Sequence, residues 1–327
     1  MKAILVREPG DADVMALGDV PTPAPRSGDL VVRVHAAGVN RADISQRRGN
    51  YPPPAGASTI LGMEVAGEVV TPAGNWQAGD RVMAVITGGG YAETVVFPAG
   101  LAMPIPDHLT YAQAAAIPEA FLTAYLNLFT LGGLQAGQSV LIHAGASGVG
   151  SAAIQLAKAA GARVFTTAGT PEKLERSRAL GAEIAINYLE DSFGRIVLEA
   201  TEGQGVNLVL DFVGEPYWHE NLAALTRGGR LLLIGFLGGS KGQLDLGPIM
   251  RKHLTVTGTT LRATRLMHKV DLTQAFVDSA LPKFATGELT PVLDSVYRLE
   301  AAADAHRYME ANRNIGKLVL TVGANGG

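Results

Sequence analysis

The sequence predicts an α/β chain of two domains, one β-rich and one a doubly wound parallel sheet, and three observations predict it. Short Val-containing runs separated by Gly and Pro fill the first third. From about Ala120, apolar runs alternate with helical patterns, and from Val292 the first style returns. Short strands between turn residues read as a strongly bent antiparallel sheet or small barrel, whereas strand–helix alternation reads as βαβ units with helices on both faces. The expected organisation is a β-rich domain built from residues 1–119 and 286–327, with residues 120–285 inserted as the α/β domain.

In chain order, Ala3–Val6, Leu30–Val34, Val65–Val70, Arg81–Val85 and Ala92–Phe97 are the strands expected first. Pro21, Pro23 and Pro25, then Pro52 to Pro54, mark connectors, because proline cannot donate to a ladder. The inserted part reads as strand Val140–Ala144, helix Val149–Ala160, strand Arg163–Ala168 and helix Pro171–Leu180. Buried strands Ile184–Asn187, Asn207–Val213, Leu231–Phe236 and Leu254–Thr259 follow. The tail contributes strand Val292–Arg298, helix Ala301–Asn312 and strand Lys317–Val322.

The 327 residues are 47% hydrophobic and 17% charged, a globular composition that excludes disorder and fibrous repeats. With no cysteine, disulfides, thiolate metal sites and cysteine nucleophiles are excluded, so the chemistry belongs to other groups. The net charge is −3 and no block of like charge occurs, which argues against a nucleic-acid or membrane partner and for a small molecule. Arg7 and Glu8 end the first apolar run too early for a signal peptide. The uncharged stretch from Ala120 to Ala157 is interrupted by Asn127, Gln135, Gln138 and several glycines, so it reads as buried interior and the cytoplasm is the expected address.

The strongest chemical signal is Val140-Leu141-Ile142-His143-Ala144-Gly145-Ala146-Ser147-Gly148-Val149-Gly150 before a helix of small residues. Strand, glycine-rich turn and helix in that order make a dinucleotide site, here with the spacing G-x-x-G-x-G. The helix N-terminus carries partial positive charge, so a pyrophosphate can rest against Ser147, Gly148 and Val149 without a basic side chain. A purely structural tight turn is the alternative. An NAD site places an acidic residue about 20 positions on, at the end of the second strand. Thr167-Ala168-Gly169-Thr170 stands there instead, so at the strand end no carboxylate repels a 2′-phosphate. Lys173 in the next helix's first turn opposes the helix dipole, which a bound phosphate explains, with ordinary solvation as the alternative and Glu172 beside it mildly unfavourable to an anion.

The chain at this point resembles the zinc-independent quinone oxidoreductases of the medium-chain dehydrogenase/reductase superfamily, the group that includes ζ-crystallin. Asn40-Arg41-Ala42-Asp43, Leu61-Gly62-Met63-Glu64-Val65-Ala66-Gly67, Gly79-Asp80-Arg81-Val82 and Ala115-Ala116-Ile117-Pro118 carry the resemblance over nearly the whole length. Tyr51-Pro52-Pro53-Pro54, His143-Ala144-Gly145 and Tyr308-Met309-Glu310-Ala311-Asn312 are similar to its tumour-suppressor-inducible subgroup. The resemblance implies a GroES-like catalytic domain, a Rossmann domain binding NADPH and an active cleft between them. It implies 2′-phosphate contacts at Gly169, Lys173 and Tyr188, with strand-end packing the alternative for Tyr188, and pyrophosphate contacts at Ser147, Gly148 and Val149; Gly145 and Thr170 are further cofactor-binding candidates. Phe236-Leu237-Gly238 and Thr260-Leu261-Arg262 resemble the segments that flank the nicotinamide ribose; ordinary strand-end loops are the alternative. Zinc-dependent relatives carry Cys where this chain has Asn40 and Gly-His-Glu where it has Gly62-Met63-Glu64, so no metal is expected.

The expected chemistry is hydride transfer from NADPH to a quinone, with the resulting oxyanion held by hydrogen-bond donors and protonated by solvent or a phenol. Asn40, Gln46, Tyr51 and Thr123 are the candidates for that work, with neutral packing around the nicotinamide as their alternative role. Reduction of an enone or enoyl thioester uses the same parts, and a non-catalytic NADPH-binding protein is the reading from another class. Leu254-Thr255-Val256-Thr257 can extend the sheet across a two-fold axis, so a homodimer is expected.

Overall fold

The structure, a computed structural model, describes residues 1–323. It divides into two compact units, Met1–Leu122 together with the chain from Arg262 onward, and Thr123–Leu261. In the first unit, β1 (Lys2–Val6) and β2 (Met15–Asp19) form an antiparallel hairpin. A seven-stranded sheet follows, built from β3 (Asp29–Val39), β4 (Glu64–Thr71), β5 (Arg81–Val85), β6 (Thr94–Pro98) and β7 (Ala102–Pro104), with two strands from the far end of the chain. Helix α1 (Arg41–Arg47) leaves β3, and α2 (Tyr111–Ala114) precedes α3 (Pro118–Tyr125), which leads into the second unit. β3 alternates inward Leu30, Val32 and Val34 into a core shared with Val65, Val82, Tyr91 and Leu320.

The second unit begins with β8 (Ser139–Ile142), α4 (Gly148–Ala159), β9 (Arg163–Ala168), α5 (Pro171–Leu180) and β10 (Ile184–Asn187). It continues through α6 (Phe193–Ala200), β11 (Val206–Asp211), α7 (Trp218–Ala224), β12 (Leu225–Leu233), α8 (Gly247–Lys252) and β13 (Thr255–Gly258). All six strands are parallel in the order β10-β9-β8-β11-β12-β13, which is the Rossmann order 3-2-1-4-5-6. The order reverses between β8 and β11, and in such sheets ligands bind outside the strands' carboxyl ends at that point.

The chain then returns through α9 (Leu266–Ser279), α10 (Pro282–Ala285), β14 (Leu293–Arg298), α11 (Ala302–Glu310) and β15 (Lys317–Thr321). β15 pairs antiparallel with β3 and parallel with β14. The sequence reading ended the inserted domain at 285, whereas the first unit resumes at Arg262. The reason is packing: Phe276 of α9 and Phe284 of α10 are buried against Phe121, and Val270 joins the first core. Strand–helix alternation cannot say on which core a helix will lie. β12 also begins earlier and ends earlier than the expected Leu231–Phe236, leaving Phe236 56% exposed in a loop.

Candidate functional site

The second unit gathers its candidate residues at the carboxyl ends of its strands. Ala144 turns the chain with φ +50, and a Cβ on Gly145 would fall on the Thr166 hydroxyl. A Cβ on Gly150 would fall on the Ala144 carbonyl, so both glycines are required by close approach of β8, β9 and α4. Ser147 caps α4, its Oγ accepting from Gly150 N at 3.0 Å. The amides of Gly148 and Val149 occupy the first two helical positions, which have no carbonyl partner within the helix and so remain for an anion.

The second wall is the turn from β9 to α5. Thr170 caps α5, with its Oγ1 accepting from Lys173 N at 3.3 Å, and Pro171 fills the first helical position. The Tyr188 phenol lies over Gly169, so close that a Cβ there would sit 2.8 Å from the hydroxyl. Gly169, Thr170 and Tyr188 are therefore neighbours at this turn, Lys173 follows beside Glu172 in the first turn of α5, and no carboxylate ends β9. On the far side of the switch point, Leu237 N and Gly238 N donate to Phe212 O and Val213 O at 3.0 and 2.8 Å. Phe236, Leu237 and Gly238 thus pack on the chain that leaves β11. Thr260 and Leu261 follow β13, one exposed and the other buried. Thr123 is buried on α3, and its carbonyl accepts from Asn127 Nδ2 at 2.8 Å.

The first unit holds Asn40, Gln46, Tyr51 and Arg262. Asn40 caps α1 and is clamped at both ends of its amide: Nδ2 donates to Glu64 Oε1 at 2.8 Å, and Oδ1 accepts from Lys317 Nζ at 2.7 Å. Lys317 and Glu64 form an ion pair at 2.5 Å with side chains only 5% and 0% exposed. Asp43 ties the two loops together, accepting from Asn40 N at 2.8 Å and Gly62 N at 3.0 Å; burial pushes its carboxyl up to about 6. Among the described residues, no group of three or more His, Asp or Glu side chains could hold a metal ion.

Arg262, anticipated as a backbone contact to a nucleotide, turns its guanidinium into this unit. It donates to Thr87 O at 2.7 Å, to Gln46 Oε1 at 2.7 Å and to Tyr51 O at 3.4 Å, and lies 5.3 Å from the Tyr51 ring centre. Gln46 also donates from Nε2 to Thr59 O at 3.0 Å, so its amide is anchored at both ends. Tyr51 differs: its ring is held by the guanidinium, while its hydroxyl makes no hydrogen bond among the described residues. Burial raises the Tyr51 hydroxyl above the usual phenol value, as does Glu119, and Arg262 opposes both. Glu64, Lys317 and the Arg262 side chain were invisible in the sequence as site groups, since their partners lie up to 278 positions away.

Two family models match the chain: "Alcohol dehydrogenase GroES-like domain" over residues 26–107 and "Zinc-binding dehydrogenase" over residues 148–275. A rat quinone oxidoreductase is 31% identical, with 98% of this chain and 97% of that protein covered. The crystal structure of Escherichia coli quinone oxidoreductase complexed with NADPH superposes with a TM-score of 0.89 at 29% identity, covering 98% of this chain and 100% of that one. The apo JamJ enoyl reductase superposes with a TM-score of 0.87 at 26% identity, covering 98% of this chain and 99% of that one. With a GroES-like domain, a Rossmann sheet and relatives matched along their full length, the chain belongs to the medium-chain dehydrogenase/reductase superfamily as an oxidoreductase whose relatives include quinone oxidoreductases.

Proposed function

We propose that the protein is an NADPH-dependent, zinc-independent quinone reductase, similar to the tumour-suppressor-inducible members of the ζ-crystallin group, and that it acts in the cytoplasm. The observation that carries the cofactor choice is the end of β9: no carboxylate stands at the strand end, where Gly169 lies against Tyr188 and Thr170 caps the helix that carries Lys173 in its first turn. A 2′-phosphate would meet Lys173 and Tyr188 as donors, opposed only by Glu172 in the first turn of α5, whereas an NAD ribose lacks its usual acidic partner. The E. coli relative complexed with NADPH supports the same choice. Lys173→Ala is expected to cut the NADPH-to-NADH ratio of kcat/KM about tenfold, the worth of one charge-assisted hydrogen bond. A wild-type protein that prefers NADH removes this reading.

When bound, the reduced nicotinamide supplies the hydride. This chain must then protonate the reduced acceptor, and Tyr51 is the residue suited to it. Its hydroxyl is unengaged, and the guanidinium beside its ring stabilises the phenolate left when the proton departs. Quinones are favoured as acceptors because their reduced product is aromatic, which lightens the demand on the acid. Tyr51→Phe is expected to lower turnover with a quinone by about 10²-fold with NADPH affinity unchanged. Full turnover in that variant would take tyrosine out of the proton step.

Enone or enoyl-thioester reduction is the second reading, favoured by the likeness to the JamJ enoyl reductase. NADPH oxidation rates with quinones, enones and enoyl thioesters separate the two, and tight NADPH binding with no turnover would leave a non-catalytic binding protein. β13 forms the edge of its sheet, and pairing of that edge with a second copy makes a homodimer the proposed assembly. Sedimentation at micromolar concentration is expected to give twice the chain mass of 34.1 kDa.

A further inference from the structure

Four buried polar side chains that the proposed reaction does not use form one directed chain beneath the dinucleotide face. His143 Nε2 lies 2.7 Å from Asn221 Oδ1, an atom that can only accept, so the ring proton sits on Nε2. His143 Nδ1, 3.0 Å from Thr167 Oγ1, then accepts from that hydroxyl. Asn221 Nδ2 donates to Asp211 Oδ2 at 3.2 Å, and Asp211 Oδ1 accepts from Val213 N and Gly214 N at 2.7 and 3.1 Å. All four residues are buried, and Phe193 and Tyr217 hold the imidazole between ring contacts of 4.7 Å. Burial holds His143 down to about 4 and Asp211 up to about 6, so at neutral pH the ring is neutral and the carboxylate ionised, as the donor order requires.

Each end of the chain fixes a wall of the cradle. The Thr167 carbonyl accepts from Gly145 N at 3.0 Å, so the residue that holds His143 also seats the glycine turn, two positions before Gly169. At the other end Gly214 has φ +92, and a Cβ there would meet the Phe236 ring at 2.8 Å. The turn that Asp211 shapes is therefore packed directly against the Phe236–Gly238 loop. Removing a middle member leaves its buried neighbours unpaired and frees the two walls to shift independently.

We propose that the Thr167–His143–Asn221–Asp211 chain sets the spacing between the glycine turn, the β9 turn and the Phe236–Gly238 loop, making His143 and Asn221 positioning residues for nucleotide binding. The inference rests on the dinucleotide reading of this face. Titration calorimetry with NADPH and steady-state kinetics on His143→Leu, His143→Gln, Asn221→Leu and Asn221→Asp test it, with thermal melting to report folding. His143→Leu and Asn221→Leu are expected to weaken NADPH binding about tenfold or more and to raise KM for NADPH in step, while kcat at saturating NADPH changes by less than about threefold. His143→Gln keeps a donor for Asn221 Oδ1 and is expected to recover most of the affinity. If the leucine variants are too unstable to assay, Asn221→Asp, which sets a second carboxylate against Asp211, is expected to show the same KM-against-kcat split. Wild-type NADPH affinity in the folded leucine variants, or in Asn221→Asp where those do not fold, overturns the proposal, as does equal loss in His143→Gln and His143→Leu. Failure of the wild-type protein to bind NADPH or NADH would instead overturn the dinucleotide reading itself.

Discussion

Replacing Lys317 with methionine is expected to lower the unfolding free energy by about 3–5 kcal/mol, the range for breaking a buried ion pair from one side. The Lys317 ammonium meets Glu64 Oε1, Asn40 Oδ1 and Val39 O at 2.5, 2.7 and 2.9 Å. Glu64 also accepts from Asn40 Nδ2 and Glu119 N, each at 2.8 Å, so its carboxylate organises three separate segments. Without the ammonium a carboxylate is left with no exposed surface and no counter-charge. Adding Glu64→Gln to the methionine variant removes that stranded charge and is expected to restore a large part of the stability. Urea unfolding of the two single variants and the double variant reads the coupling directly. A methionine variant within about 1 kcal/mol of wild type would show the pair to be structurally idle.

Gly150→Val is expected to abolish detectable NADPH binding while leaving most of the secondary structure in place. The added Cβ would collide with the Ala144 carbonyl and approach Gly145 Cα to 2.9 Å, and both obstacles are backbone atoms that no rotamer change can clear. The N-terminus of α4 must then retreat from β8, taking the Gly148 and Val149 amides with it. A displacement of about 1 Å in such a binding arrangement costs roughly 10²-fold. Calorimetry with NADPH beside far-UV circular dichroism checks this, and unchanged affinity would show that the nucleotide does not use this helix terminus.

The parts of the fold that read well from sequence are those with local punctuation. β9 and α5 lie at Arg163–Ala168 and Pro171–Leu180, the spans expected from sequence, because Thr170, Pro171 and Gly181 announce both ends of the helix. β2 and β7 carry no such marks: one is largely exposed and the other spans three residues. The glycine turn was legible for the same reason as α5, since its steric requirements fall within a few residues of one another. Arg262 shows the opposite case. Its neighbours in sequence suggested a strand-end loop, but its guanidinium partners, Gln46 and Thr87, lie 216 and 175 positions earlier, where no local pattern reaches. His143 stood in the sequence as one residue of the glycine-turn motif, and its role emerges from the arrival of Asn221 and Thr167 at its two nitrogens.

The pairing of β15 with β3 bears on how the chain is made. Val39 and Lys317 are bonded across 278 positions, and every residue of the Rossmann unit is synthesised between them. That unit is continuous in sequence and can fold as soon as it leaves the ribosome. The sheet of the first unit must wait, with β3 lacking one neighbour until β15 has been made. Such late, non-local closure slows folding and leaves a bare ladder that invites aggregation. Production of this protein is therefore most vulnerable in the interval before β15 is made, and truncation ahead of β15 removes a central partner of that sheet.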